Sequence, residues 1–242
     1  MKPRTSGWLL DVRGGPVPYA DAWALQRHLL CARQAAAIPD SLILLEHPPV
    51  VTLGRGGNAR HLLIAPDALA ARGIDLFEVE RGGDVTYHGP GQLVGYPILD
   101  LKALDEDVVR YMRSLEESAI ATLAVFGIAG TRLRGYPGVW VDGAKVCAMG
   151  VAVKRRVTMH GFALNVTTDL AAFDLINPCG LGRPVTSMAG LLGRTVAIED
   201  VREAYVAQFS QVFGIALERT GLDAVFAARS SAVPAAARAG SG

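Results

Sequence analysis

A glycine-rich stretch from residue 81 to residue 92, RGGDVTYHGPGQ, constrains this chain more than any other feature of its sequence. Its four glycines and one proline require tight backbone turns, and the apolar run from Leu93 to Leu99 that follows predicts a strand. A turn between two strands is the simplest interpretation, but such a turn has no need of polar side chains. Polar side chains nevertheless stand among the glycines, namely Arg81, Thr86, His88 and Gln92. We therefore interpret the stretch as a binding loop whose backbone N–H groups suit an anionic or carbonyl-bearing ligand.

The length of the chain is enough for one large globular domain, or for a domain with a small lobe. The chain has 242 residues, half of them hydrophobic, and a net charge of +1, which gives no support for nucleic-acid binding. No apolar run approaches the roughly 18 residues of a membrane span, and the N-terminal apolar segment is too short for a secretory signal. The three cysteines form no CxxC pair, which favours free thiols in a reducing cytoplasm. We expect a monomer with one catalytic domain over residues 1–220, and an Ala/Gly/Ser-rich tail over 221–242 that is disordered from about residue 230.

Hydrophobic periodicity predicts a mixture of helices and strands. The clearest helix spans 105–126, where apolar residues recur at spacings of three or four after an acidic start. The dipeptide Asp142-Gly143 between two strand-like runs predicts a β-hairpin, and strand alternation then places Lys145 and Cys147 on one face of the returning strand. Further helices are predicted over 20–37, 66–72 and 198–213, and further strands over 8–12, 41–46, 50–53, 75–81, 93–99 and 156–166.

Thiol chemistry is the reaction type that the residues favour. The sequence contains no serine nucleophile elbow, HExxH motif, Walker A loop or GxGxxG fingerprint, and its five scattered histidines do not predict a zinc site. Cys179 lies between a proline and a glycine, which leaves its sulfur uncrowded, whereas Cys147 has core-like apolar neighbours. Either thiol could instead be buried and inert. A nucleophilic cysteine needs a nearby cation to lower its pKa, and the candidates are Lys145, His88 and His160.

Five motifs together resemble the lipoyl(octanoyl) transferases, within the superfamily of biotin and lipoate protein ligases. The resemblance covers roughly residues 41–192 and leaves out the tail after about residue 220. One departure is Cys147, which stands where a small or aliphatic residue is expected. The motifs are EHPPVVTLGR at 46–55, RGGDVTYHGPGQ at 81–92, GVWVDGAKVCAMGV at 138–151, HGFALNV at 160–166 and NPCGL at 177–181.

The resemblance implies a fold and a reaction. The fold is α+β, with a mixed β-sheet flanked by helices as in biotin and lipoate protein ligases. The reaction moves an octanoyl group from octanoyl-acyl carrier protein to the specific lysine of a lipoyl domain, as the first step of endogenous lipoate biosynthesis. The acceptors would be the lipoyl domains of 2-oxoacid dehydrogenase subunits and the glycine cleavage H protein. No cofactor, metal or ATP is implied.

The resemblance also implies roles for individual residues. Cys179 would carry the acyl group as a thioester, and Lys145 would lower the pKa of its thiol and then act as general acid and base. His88 and His160 would be wall residues or secondary proton carriers. The implied substrate-binding residues are Arg81, Gly82, Gly83, Asp84, Val85, Thr86, Tyr87, His88, Ala148, Met149, Gly150, His160, Gly161, Phe162 and Ala163.

Three alternatives to acyl transfer remain open from the sequence. The first is an ATP-dependent lipoate or biotin ligase, which would not need the cysteine nucleophile. The second is a non-catalytic binder of lipoyl domains or acyl carrier protein, and the third is a cysteine hydrolase that releases free fatty acid. A surface patch of basic side chains would bind the acidic carrier protein. The alternative is that the basic side chains contact only solvent. The candidate residues of the patch are Arg55, Arg60, Arg81, Lys154, Arg155 and Arg156.

Overall fold

The computed structural model describes residues 5–177, 183–221 and 223. Cys179 and the tail from residue 224 onward therefore lie outside the described residues. Among the described residues, no helix is both long and apolar enough to cross a membrane.

The described strands form two sheets. The larger has eight strands in the order β11-β1-β2-β6-β10-β9-β8-β7, and the smaller has three in the order β4-β3-β5. In the large sheet β1 pairs in parallel with β2 and β11, while the other pairs are antiparallel, so the predicted mixed sheet is confirmed. The strands are β1 Thr5–Asp11, β2 Ser41–Leu45, β3 Val50–Leu53, β4 Asp75–Glu78, β5 Val85–His88, β6 Gln92–Ile98, β7 Thr131–Leu133, β8 Tyr136–Val141, β9 Ala144–Lys154, β10 Val157–Asn165 and β11 Ile215–Arg219.

Helices cover both faces of the large sheet. Helices α3 and α5 pack on one face in a core cluster that includes Leu115, Tyr205 and Phe209. Helix α1 packs on the opposite face, where Leu29 and Met159 belong to a second cluster. The small sheet lies beside this second face, with its own core. The helices are α1 Tyr19–Gln34, α2 Pro66–Ala70, α3 Val108–Val125, α4 Met188–Leu192 and α5 Ile198–Phe213, and short 3₁₀ helices occur at Ala59–His61, Leu101–Leu104 and Leu170–Leu175.

Helix α3 begins three residues later than the acidic run predicted. Asp105 and Glu106 adopt positive φ angles of 55° and 60°, which a continuous right-handed helix cannot contain. The next residue, Asp107, caps the helix, because its carboxylate accepts hydrogen bonds from the backbone N–H groups of Val109 and Arg110. The acidic run therefore supplies a turn and a cap rather than the first turn of the helix.

A β-bulge in strand β9 corrects the predicted alternation around Lys145. Val139 pairs with Cys147 and Trp140 pairs with Lys145, so Val146 has no partner of its own on β8. Val146 and Cys147 are both fully buried in the core under α3 and α5. Because of the extra residue, Lys145 projects from the face of the large sheet opposite to Val146 and Cys147. The prediction that Lys145 and Cys147 share one face is therefore wrong.

Candidate active site

A cavity of about 310 Å³ opens between the small sheet and the uncovered part of the large sheet. Lys145 lies in its wall, together with glycine, alanine and aromatic residues from both sheets. Most of the predicted substrate-binding residues line the same cavity. They are Arg81, Gly83, Asp84, Val85, Thr86, His88, Ala148, Met149, Gly150, Gly161, Phe162 and Ala163.

Three predicted substrate-binding residues lie behind the wall rather than in it. The backbone N–H of Gly82 donates to the carbonyl of Val151, which ties the glycine-rich loop to β9. The ring of Tyr87 packs edge-on against Phe173, with ring centroids 5.6 Å apart, in the core of the small sheet. His160 is buried with a positive φ of 56°, and its backbone N–H donates to Gln26. These residues support the site from beneath.

Several further residues complete the wall, and none of them was predicted as a site residue from the sequence. Trp140 stood inside a quoted motif, and its pairing opposite Lys145 in the predicted hairpin is the signal that could have found it. The others lie outside the five motifs, and the packing of the fold brings them to the cavity. The additional wall residues are Tyr96, Gly135, Tyr136, Pro137, Trp140, Phe173, Arg183 and Val185.

Arg81 is a buried brace for the glycine-rich loops. Its guanidinium group donates to the backbone oxygen and the hydroxyl of Thr52, each at 2.8 Å, and to the carbonyl of Gly82 at 3.2 Å. Only glycine fits at position 54 beside it, since a Cβ there would lie 2.5 Å from the carbonyl oxygen of Gly83 and 2.9 Å from that of Arg81. Arg81 is only 7% exposed, so it cannot belong to the surface docking patch predicted from the sequence.

A chain of buried hydrogen bonds joins the motifs beneath the cavity. His88 Nδ1 lies 2.8 Å from Gln92 Oε1, and Gln92 Nε2 donates to Asn165 Oδ1 at 2.9 Å. Asn165 Nδ2 then donates to the carbonyl of Thr186 at 3.0 Å. The polar residues of two separate motifs therefore fix the glycine-rich loop relative to the chain that follows residue 182.

His88 and His160 are buried in the neutral form. Burial, together with the nearby His47, lowers the pKa of His88 to about 3. Burial also lowers the pKa of His160 to about 4, although Glu80 acts in the opposite direction. Neither imidazole carries a positive charge at neutral pH. Of the three side chains predicted as possible cationic partners for a nucleophilic thiol, this leaves Lys145.

Lys145 is held by the chain that follows Cys179 in the sequence. Its backbone N–H donates to the carbonyl of Pro184, and its carbonyl accepts from the N–H of Thr186, both at 2.9 Å. Its Nζ atom lies 4.7 Å from the centroid of the Trp140 ring. Cys179 itself lies outside the described residues, but Arg183, four positions later, lines the cavity with Lys145.

Asp84 and His61 are in contact at the edge of the cavity. Asp84, a wall residue, has a carboxylate oxygen 2.5 Å from His61 Nδ1. The carbonyl of His61 accepts a hydrogen bond from the backbone N–H of Asn177 at 2.8 Å. His61 was not identified from the sequence, because nothing in its local context distinguishes it from a solvated histidine.

Cys147 has the environment of an inert core thiol. It is fully buried, and burial raises the pKa of its thiol to about 12, which outweighs the opposing effect of Lys145. We therefore expect Cys147, in a Cys31→Ser/Cys179→Ser protein, to react with an aromatic disulfide at pH 8 at least about a hundred-fold more slowly than a free thiol. The same protein unfolded in urea is the control and should react at once. Rapid labelling of the folded protein would contradict this assignment.

Within residues 5–177, 183–221 and 223, no group of three or more His, Cys, Asp or Glu side chains is placed to hold a metal ion.

Residues 18–210 match the family of the Lipoyl protein ligase A/B catalytic domain. An octanoyltransferase of Gloeobacter violaceus is 50% identical over 224 residues, which cover 92% of this chain and 98% of that protein. The chain belongs to the octanoyltransferase family. An octanoyltransferase of Solibacter usitatus is 50% identical over 199 residues, which cover 82% of this chain and 90% of that protein.

The solved structures place this octanoyltransferase family member in the fold of the lipoate protein ligases. A lipoate-protein ligase A crystallised with ATP superposes with a TM-score of 0.70 at 18% identity, covering 96% of this chain and 94% of that one. A putative lipoate protein ligase from T. acidophilum gives a TM-score of 0.68 at 19% identity, covering 95% of this chain and 93% of that one. At such identities the likeness shows the fold alone. The family and the fold inferred from the motifs are both confirmed, and the protein is an acyltransferase.

Proposed function

We propose that this protein transfers an octanoyl group from octanoyl-acyl carrier protein to the specific lysine of a lipoyl domain. The observation that carries the proposal is the position of Lys145 in the wall of a largely apolar cavity, in a chain that is 50% identical to octanoyltransferases. Glycine and alanine leave the cavity open, and aromatic side chains line the rest of it. Each methylene group buried there contributes about 0.8 kcal/mol, which suits a medium-length acyl chain.

In the first half of the reaction, the Cys179 thiolate attacks the carbonyl carbon of the donor thioester. A new C–S bond forms to Cys179, and the C–S bond to the carrier breaks. The Lys145 ammonium stabilises the Cys179 thiolate beforehand and protonates the departing carrier thiolate. The backbone N–H of Gly83, a residue of the cavity wall, would stabilise the oxyanion of the tetrahedral intermediate.

In the second half, the neutral amine of the acceptor lysine attacks the Cys179 thioester. The amide C–N bond forms, the C–S bond to Cys179 breaks, and Lys145 accepts the proton that the amine loses. Lys145 thereby returns to its charged form, and Cys179 is again a thiolate. The proton balance closes over one cycle, so the mechanism requires no ATP, metal or cofactor.

The acceptors would be the lipoyl domains of 2-oxoacid dehydrogenase subunits and the glycine cleavage H protein. For the acidic donor, Arg55 and Arg60 are the best placed of the candidate docking residues. Both are exposed, and Arg55 lies on a loop whose backbone bonds to residues 81 and 83 beside the cavity. Lys154 and Arg156 instead form ion pairs with Glu80 and Glu106. That the protein is a monomer and is located in the cytoplasm stays a prediction.

Intact-mass spectrometry after mixing with octanoyl-acyl carrier protein tests the proposal. We expect an octanoyl adduct that hydroxylamine removes, present on the wild type and on Cys147→Ser but absent from Cys179→Ser. In Lys145→Ala the adduct should form about a hundred-fold more slowly, because the thiol loses both its cation and its proton carrier. An adduct that disappears with Cys147→Ser would show that the wrong thiol was chosen.

Adding a lipoyl domain without ATP distinguishes the remaining alternatives. Transfer of the octanoyl group as an amide supports the acyltransferase mechanism. Release of free fatty acid would show a hydrolase. Labelling of the lipoyl domain that requires ATP, with no adduct on the enzyme, would show a ligase.

A further inference from the structure

We infer that Trp140 is a positioning residue, which holds the Lys145 ammonium through the face of its indole ring. The inference rests on the proposed function, because it assigns a partner to the lysine that exchanges protons with the thiol. Lys145 Nζ lies 4.7 Å from the centroid of the Trp140 ring, within the range of a cation–π interaction.

The strand pairing places the two side chains on the same side of the sheet. Trp140 on β8 is directly opposite Lys145 on β9, and directly opposed residues project to the same face. The bulge at Val146 occurs immediately after this pair, and it turns the following two side chains into the core. Without the bulge, Lys145 and the core residue Cys147 would project from the same face of the sheet. The bulge therefore sets the face from which Lys145 projects, and Trp140 limits the position of its side chain there.

The ring of Trp140 is itself firmly held. It is 3% exposed, and its indole N–H donates to the backbone carbonyl of Tyr136 at 3.2 Å, which fixes the plane of the ring. The guanidinium group of Arg183 lies 5.9 Å from the Trp140 ring and 5.6 Å from the Tyr136 ring. Trp140 therefore contacts both Lys145 and Arg183, which lies four residues after Cys179.

An aromatic ring is a suitable partner for a lysine that must exchange protons. The partial negative charge on the ring face attracts the ammonium group, but the ring is not a base and cannot take its proton. The ring therefore limits the positions of Nζ without accepting its proton. A lysine on a four-carbon stem without such a contact would sample many positions, and the proton transfer would be correspondingly slower.

A double-mutant cycle on the rate of Cys179 acylation tests the inference. Relative to the wild type, we expect Trp140→Leu to acylate about ten-fold more slowly and Trp140→Phe within about three-fold, with KM for the carrier protein unchanged. In a Lys145→Met background, Trp140→Leu should cause no further reduction. An equal reduction in both backgrounds would overturn the inference, since it would show a general packing role.

Fluorinated tryptophan provides a test that leaves the fold intact. Replacing all tryptophans by 5-fluorotryptophan withdraws charge from the ring face with little change of size, and it should slow acylation about two-fold. The same labelling of the Trp140→Phe protein should have no effect, which isolates the contribution of position 140. Equal rates for labelled and unlabelled wild type would overturn the inference. Absence of any Cys179 adduct on the wild type would instead overturn the proposed function.

Discussion

Replacing Asp11 with alanine should lower the free energy of unfolding by about 3–5 kcal/mol, because it leaves a buried arginine without its main partner. The Asp11 and Arg202 side chains are 3% and 4% exposed, and their oxygen and nitrogen atoms are 3.0 Å apart. Removing the carboxylate leaves Arg202 with Glu46, whose nearest oxygen is 3.5 Å away. Glu46 also accepts a hydrogen bond from the N–H of Gly91 in the glycine-rich motif, so the loss of the Asp11 carboxylate should also disturb the glycine-rich loop at the candidate site.

The same pair predicts a sensitivity to acid. Burial by itself raises the pKa of Asp11, but hydrogen bonds from Arg13 and Arg219 and the charge of Arg202 outweigh it, so the pKa is lowered overall. A carboxyl group with a lowered pKa stabilises the fold above its unfolded pKa. That contribution is lost as the pH falls through the folded value.

Urea unfolding of Asp11→Ala, with Glu203→Ala as the matched control, measures the effect. Glu203 also contacts Arg13 and Arg219, but its side chain is 55% exposed, so its loss should lower the free energy of unfolding by less than about 1 kcal/mol. The double variant Asp11→Ala/Arg202→Met should recover part of the loss, because no buried charge then remains. An Asp11→Ala protein within 1 kcal/mol of the control would contradict the prediction.

Three buried histidines should make the fold lose stability steeply between about pH 6.5 and pH 4.5. The pKa values of His47 and His160 are lowered to about 4 and that of His88 to about 3, in each case chiefly by burial. Below its ordinary pKa each histidine binds a proton in the unfolded chain but not in the folded protein. Stability is therefore complete above pH 6.5 and falls by about 1.4 kcal/mol per histidine for each pH unit below it, roughly 4 kcal/mol for the three.

The hydrogen bonds of His47 fix the tautomer of its buried ring. Its Nδ1 atom lies 2.6 Å from the carbonyl oxygen of Val17, which only accepts, so Nδ1 carries the proton. Its Nε2 atom, 2.6 Å from the hydroxyl of Tyr96, then accepts the hydroxyl proton. A second proton would require the Tyr96 hydroxyl to reverse. It would also place a positive charge near His88, since the two ring centroids are 5.7 Å apart.

Unfolding free energies measured by urea titration from pH 8 to pH 4.5 test the prediction. His47→Gln retains a donor and an acceptor but binds no proton, so it should reduce the slope below pH 6.5 by the equivalent of one proton, about 1.4 kcal/mol per pH unit. A slope that this variant leaves unchanged would contradict the assignment. So would a wild type whose stability does not change between pH 6.5 and pH 5.

The sequence by itself determined the features that depend on local patterns. The helix predicted over 198–213 and the strand over 50–53 have the observed bounds. The Asp142-Gly143 hairpin is confirmed, because both residues take the positive φ angles that the tight turn requires. The motifs identified the family and the fold. Such features follow from periodicity, turn chemistry and residue size within a few positions of the chain.

The tertiary structure alone decided which side chains meet. The bulge at Val146 set the direction of Lys145, since an unpaired residue arises from the register of two strands rather than from the preference of one. Because Arg81 is buried, it holds the glycine-rich loops together instead of docking a partner. Burial also keeps His88 and His160 neutral, since the desolvation of a group depends on every element packed around it. Arg183 lies over the Trp140 and Tyr136 rings for the same reason: this contact joins residues far apart in the chain, and no local pattern encodes it.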